Sequence, residues 1–346
     1  MLKEKLVTVM KKAARITKDG NYPGANKFFI EIKGKTFTIR SRNQVMDIHA
    51  FMELDSIEKA ISCIIPAKLF LNIINKIPDL ELSFSISKKN LVIQGEKSHV
   101  KLPICDEKQW PMPESFHSNY QIELDESVLS CSHALAEPSM GNSLMASYHI
   151  ESDFTNYRIT ALDGRRISIF NSGVIEPKID LVVENEIIKE AIALSNGKTI
   201  LETDGNHILF RGENLYIYGR TRAEKYFSLD SILANKSQKT IATVNAKEFK
   251  ESIILATLFD STVILNFTEN QIELFSKSNP NGGSCCNIAA EISGDPLRIG
   301  VCGKFLIDSI DALKTEKITL NLGSEKSPIY AENDTQLEFI LPICIQ

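Results

Sequence analysis

The sequence predicts an α+β protein: three tandem copies of one unit, each two helices laid on antiparallel strands. Two observations carry this. A strand–helix–strands segment recurs three times along the 346 residues, and the four-residue word LPIC, at 102–105 and again at 341–344, closes the first and third copies.

In the first copy, SCIIPAKLFLNIINKIPDLELSFSISKKNLVIQGEKSHVKLPIC reads as strand, helix and three strands. Pro66 suits a helix start, where its missing N–H costs nothing, and Pro78 stops the helix. LELSFSIS alternates at period two, HVKLPI less cleanly, and KKN and GEK are turns. The third copy keeps this order, with a helix over 304–314 followed by KITLNL, PIYAE and QLEFILPI as strands. In the middle copy, IDLVVENEIIKEAIALSNGKTILETDGNHILFRGENLYIYGR, the helix covers about 184–194 and Asn196-Gly197 ends it. These helices end near 77, 195 and 314, a period of roughly 120. So long a period marks a triplicated domain and not a solenoid.

The first half of each unit repeats as well. LKEKLVTVMKKAARI, LDESVLSCSHALAE and NAKEFKESIILATLF each read as an amphipathic helix, and paired β stretches follow each one. Boundaries fall in polar or Pro-rich linkers at 107–119 and 229–240. The expected domains are 1–118, 119–240 and 241–346.

Composition narrows the class. The chain is 43% hydrophobic and 24% charged, as soluble globular proteins are. No apolar run approaches the ~18 residues of a membrane span, and charges interrupt the N-terminal segment where a signal peptide needs a continuous apolar core. The expectation is a cytoplasmic protein with no membrane partner. Seven cysteines, none in CxxC spacing and two of them adjacent at Cys285-Cys286, argue for reduced thiols over a disulfide framework or zinc site. Net charge is −5, so a nucleic-acid role requires local placement of cations.

Such placement exists on the helices. In PAKLFLNIINKI, helical spacing puts Lys68, Asn72, Asn75 and Lys76 on one face with no acid among them. Lys5, Lys12 and Arg15 cluster on the first helix, with Lys11 nearby, and the third copy offers Lys247, Lys250 and Lys304. The middle copy is weaker: Ser130, Ser132 and His133 are neutral, and Glu186 and Glu190 offset Lys189. A plain solvated face would look similar. The six histidines lack metal-ligand spacing, and no P-loop, GxGxxG or HExxH occurs, so neither cofactor nor metal is expected. Asp163-Gly164 is a hairpin turn, Asp204 in ETDGNH reads as a turn residue, and NPNGGSCC (279–286) as a loop.

Four segments in order along the whole chain resemble the bacterial DNA polymerase III beta subunit family, the sliding clamps. They are IIPAKLFLNIINKIP, ITALDGRRIS, RIGVCGKFLIDSIDAL and PIYAENDTQLEFILPICI. In that family the second reads VATDGHRLA and the last ends in PMRL. The resemblance implies a non-catalytic processivity factor, a head-to-tail homodimer closing a six-domain ring, with helices lining the hole and sheets outside. Double-stranded DNA would pass through irrespective of sequence, with the polymerase catalytic subunit and clamp loader as further partners. Lys12, Arg15, Lys68, Lys76, Lys247, Lys250 and Lys304 would face DNA. Val100 and Leu102 of the first domain, alternating toward one face, would meet Thr257 and Leu258 of the partner's third.

The resemblance also implies a peptide pocket. Leu162, Gly164, Arg166, Ile167, Phe227, Ile232, Phe305, Pro328, Leu341, Pro342 and Ile343 map onto it. Here the family's DGHR is Asp163-Gly164-Arg165-Arg166 and its terminal PMRL is Pro342-Ile343-Cys344-Ile345, followed by Gln346. These departures imply altered partner preference, in a clamp of a phage or mobile element as readily as in that of a host replisome. The competing classes are a clamp fold that no longer encircles DNA, and an enzyme whose titratable residues meet only in three dimensions, in a deep pocket.

Overall fold

The computed structural model describes every residue except 106–109, 138–140, 153–156, 174–177, 235, 237, 277–281 and 346. Parts of the two linkers, of the NPNGGSCC segment and Gln346 thus lie outside the described residues.

One order of elements occurs three times. The first run is α1 (Lys3–Ala14), β1 (Lys27–Lys33), β2 (Thr36–Arg42), β3 (Met46–Glu53), β4 (Ile61–Pro66), α2 (Ala67–Lys76), β5 (Ser83–Ser87), β6 (Asn90–Gln94) and β7 (His99–Pro103). The second opens with β8 (Tyr120–Asp125) and a 3-10 helix (Glu126–Ala134). It continues through β9 (Ser147–Ser152), β10 (Tyr157–Leu162), β11 (Arg166–Ser172), β12 (Ile179–Glu184), α3 (Asn185–Leu194), β13 (Lys198–Thr203), β14 (His207–Gly212) and β15 (Leu215–Arg220). A short α4 (Asp230–Ala234) leads to the third run. That run is β16 (Thr240–Asn245), α5 (Ala246–Thr257), β17 (Thr262–Phe267), β18 (Gln271–Ser276), β19 (Cys285–Gly294), β20 (Leu297–Cys302), α6 (Gly303–Leu313), β21 (Lys317–Leu322), β22 (Ile329–Glu332) and β23 (Gln336–Ile340).

Three expectations need correction. LDESVLSCSHALAE forms a 3-10 helix, not an amphipathic α-helix. Its buried residues Val128, Cys131 and Ala134 recur every third position, the 3-10 period, and its serines compete for backbone hydrogen bonds. The second LPIC follows β23 instead of ending inside it. The two copies still share a role: Cys105 N–H donates to Ile64 O (2.8 Å) and Ile343 N–H to Gly300 O (2.7 Å), each on the strand that leads into the second helix of its repeat. Finally, Leu102 is fully buried. Period-two alternation groups Val100 with Leu102, but their shared face is the core side, and Val100 is only half-buried there.

Packing divides the chain into two compact units, Met1–Glu126 with Glu186–Thr221, and Ser127–Asn185 with Arg222–Gln346, so the second repeat is shared between them. Unit 1 holds an eight-stranded sheet, β4-β1-β2-β3-β15-β14-β13-β8, and a three-stranded sheet, β5-β6-β7. Phe28, Phe37, Phe70 and Phe84, with ring centroids 6.0–6.4 Å apart in contacting pairs, tie β1, β2, α2 and β5 together. Each such buried ring contributes on the order of 2–3 kcal/mol. Unit 2 holds a twelve-stranded sheet, β12-β9-β10-β11-β23-β22-β21-β16-β19-β18-β17-β20, with α5 and α6 buried against it through Phe249, Ile253, Leu306 and Ile310. The two helices approach closely at Gly303, where an added Cβ would sit 2.4 Å from Thr257 Cγ2.

One pairing rule recurs. The third strand after the opening helix of a repeat pairs antiparallel with the last strand of the next repeat: β3 with β15, and β11 with β23. The corresponding strand of the third repeat, β19, pairs with β18 through 285–289 on one side. Among the described residues, neither the other side of 285–289 nor the outer edge of β7 has a strand partner.

Candidate functional site

The β11–β23 junction in unit 2 carries an apolar groove of about 300 Å³. It begins at the β10–β11 turn. Asp163 accepts the N–H groups of Arg165 (2.9 Å) and Arg166 (3.0 Å) on one carboxylate oxygen, and Gly164 takes φ +84° at the tip. The turn sets Leu162 opposite Ile167 in the ladder, and Ile167 opposite Phe339 of β23, so the three share one face. Pro328 and Leu341 complete that wall, while Met145, Phe227, Ser228, Leu229 and Ile232 form the other.

Arg166 holds the turn to α6. Its Nε donates to Asp163 (2.9 Å) and its Nη1 to Asp308 (2.6 Å), and its guanidinium lies 4.2 Å from the centre of the Phe305 ring. Burial alone would raise the Asp308 carboxyl, but hydrogen bonds from Lys304 and Arg166, and their charges, outweigh it and hold the pKa below the usual carboxylate value.

Of the eleven residues expected here, Leu162, Gly164, Arg166, Ile167, Phe227, Ile232, Pro328 and Leu341 line the groove. Phe305 lies beneath Arg166 instead. Ile343 lines a separate cavity of about 320 Å³ with Arg298, Glu325, Lys326, Cys344 and Ile345, and Pro342 lines neither. Sequence reasoning missed Met145, Arg165, Ser228, Leu229 and Phe339. The turn motif would have signalled Arg165 and the β23 alternation Phe339, but nothing local marks Met145.

Behind the groove lies a buried polar cluster. Glu338, 1% exposed, accepts from Ser168 (2.6 Å), Gln336 (2.7 Å) and Ser309 (3.1 Å), and faces His133 Nε2 at 2.9 Å. Ser130 bonds Gln336 (2.9 Å). Ser130 and His133 thus turn inward, contrary to the expected outward neutral face. None of these residues lines the groove, and their hydrogen bonds tie the 3-10 helix, β11, α6 and β23 together. Asp204 is likewise structural: it accepts the N–H groups of Asn206 (2.9 Å) and His207 (2.7 Å).

Two family models match the chain, the N-terminal domain of the DNA polymerase III beta subunit over residues 1–114 and its C-terminal domain over 232–342. The chain belongs to the DNA polymerase III beta subunit, or beta sliding clamp, family. Members of this family are non-catalytic subunits that serve DNA replication. The beta sliding clamp of Streptococcus pneumoniae serotype 4 is 23% identical, over 91% of this chain and 90% of its own length. That of Haemophilus influenzae is 21% identical, over 93% and 92%. The fold matches the sliding clamp of Bacillus subtilis with a TM-score of 0.92 at 19% identity, covering 100% of this chain and 98% of that one. The Thermotoga maritima beta subunit gives 0.87 at 19% identity, covering 100% and 99%.

The cations a clamp would turn to DNA sit on α1, α2, α5 and α6. Lys68, Lys76 and Lys247 are exposed, and none has a carboxylate in ion-pair range among the described residues. Arg15 is paired with Glu190, Lys250 with Asp311 (2.5 Å) and Lys304 with Asp308 (2.8 Å), while Lys12 donates to Glu213 O (2.8 Å). The ion pairs offset part of the charge of Arg15, Lys250 and Lys304, whereas Lys12 keeps its own. Leu258 is 75% exposed at the end of α5, beside exposed Ile254 and Leu255. Thr257 is half-buried, its hydroxyl donating to Ile254 O (2.8 Å). Among the described residues no helix is long and apolar enough to cross a membrane.

Proposed function

We propose that this protein is a processivity clamp. Two copies join head to tail into a closed ring of six domains, with domains at 1–118, 119–240 and 241–346, that encircles duplex DNA in the cytoplasm. The observation that carries this reading is the pairing rule. Two junctions obey it within the chain, and a third is left with both of its edges, β19 and β7, unpaired among the described residues. A second copy supplies the missing strand to each, and the rule then holds at every junction. Leu258, Ile254 and Leu255 on α5, and half-exposed Leu69 on α2, are the apolar surface such a contact would cover. Leu102 supports the β7 edge from beneath, and Val100 sits closer to the contact.

Inside the ring, Lys68, Lys76 and Lys247, with Lys12, Arg15, Lys250 and Lys304 able to exchange partners, would attract phosphates without reading bases. The unit 2 groove would capture an extended peptide from the polymerase catalytic subunit or the clamp loader, by apolar anchors against Leu162, Ile167 and Leu341.

Sedimentation tests the closure. Wild-type protein should run as a dimer, and Leu258→Glu, which buries a charge at the contact, as a monomer with unchanged circular dichroism. An unaltered dimer in the variant would remove this interface.

A further inference from the structure

The β3–β15 junction of unit 1 repeats the β11–β23 junction of unit 2 position by position. Asn43 accepts the N–H groups of Val45 and Met46 (both 2.8 Å), as Asp163 does those of Arg165 and Arg166. Met46 pairs with Gly219 where Arg166 pairs with Ile340, and Ile208 meets Gly219 where Ile329 meets Ile340. A groove of about 210 Å³ lies at the equivalent place, walled on its other side by Met112, Pro113, Glu114 and Phe116. On this register the apolar Leu162, Ile167, Pro328 and Leu341 become Arg42, Asp47, His207 and Arg220.

We propose that this second groove docks an extended peptide segment that presents a carboxylate. A carboxylate already occupies its Arg220 end: Glu114 accepts from Arg220 Nη2 (2.6 Å) and lies 3.1 Å from His207 Nε2, whose Nδ1 faces Asp204 (3.0 Å) and whose ring stacks on Phe116 at 5.6 Å. Glu114 and Arg220 have side chains 63% and 66% exposed, so water competes for their pairing and an incoming carboxylate can displace Glu114. Beneath them, Met46 and Ile208 are buried apolar floor residues for a neighbouring side chain. Asp47 also lines the groove. It is 8% exposed, and its Oδ1, shut off from solvent, stands 3.5 Å from Arg42 Nε. That the occupant is a peptide rests on the proposed role of the unit 2 groove, whose register this groove shares.

The probe is a fluorescein-labelled peptide of the chain's own residues 111–117, titrated into the full-length protein and followed by anisotropy. Glu114→Gln, which frees Arg220, should bind it at least about tenfold more tightly than wild type. Gln in place of the probe's glutamate, or Arg220→Glu added to Glu114→Gln, should abolish that gain. Both protein substitutions fall on largely exposed side chains and leave the core intact. Ile167→Asp, in the unit 2 groove, should leave probe binding unchanged. No saturable binding to Glu114→Gln, or binding lost with Ile167→Asp and kept with Arg220→Glu, overturns the proposal.

Discussion

At the scale of single residues, β3 holds two buried ionisable groups with opposite effects. Burial, aided by the Arg40 charge, pushes His49 from its ordinary 6.5 down to about 3. The unfolded chain takes up this proton first, so the His49 contribution to stability is lost as pH falls from about 6.5 toward 3. Burial raises Asp47 from 3.8 to about 6 against the pull of Arg42. Its contribution is present at low pH and lost as pH rises from about 4 through 6. The two offset each other between pH 4 and 6, so wild-type melting temperature should change little there. Asp47→Asn should make it fall on acidification, and His49→Gln should make it rise. Parallel profiles in the two variants would show that burial of this pair has been misjudged. Asp163-Gly164 was legible in the sequence because turn chemistry is local. The inward direction of Leu102 was not, because alternation groups residues by face without saying which face meets the core. The Glu338 cluster gathers Ser168, Ser309 and His133 from three distant segments, and no spacing announces that.

At the scale of elements, helices and strands followed from Pro66, Pro78, Asn196-Gly197 and period-two runs. The 3-10 helix escaped because its apolar residues at every third position also suit an α-helical face. The groove was legible only in part. Its strand side follows one turn and one strand, whereas Met145 and Leu229 arrive from other segments. As a peptide site it makes a definite prediction. Ile167→Asp should weaken binding of a polymerase C-terminal peptide at least about tenfold, or ~1.4 kcal/mol, in an anisotropy titration. The dimer and the unit 1 groove should be untouched. Wild-type affinity in this variant would put the partner elsewhere.

At the scale of the whole molecule, a net charge of −5 coexists with exposed Lys68, Lys76 and Lys247, the pattern that the proposed enclosure of DNA calls for. The triplication was visible in the sequence from its period. The sharing of the second repeat between two packed units was not, since strand pairing across β3–β15 and β11–β23 is set by tertiary contacts. In the proposed ring, DNA is held by topology. The direct measurement loads the protein onto nicked circular duplex with its clamp loader, linearises half the sample with a restriction enzyme, and follows bound protein by gel filtration. Protein should remain on the circle and leave the linear form through its ends. Equal retention on circular and linear DNA would rule out a closed ring around the duplex.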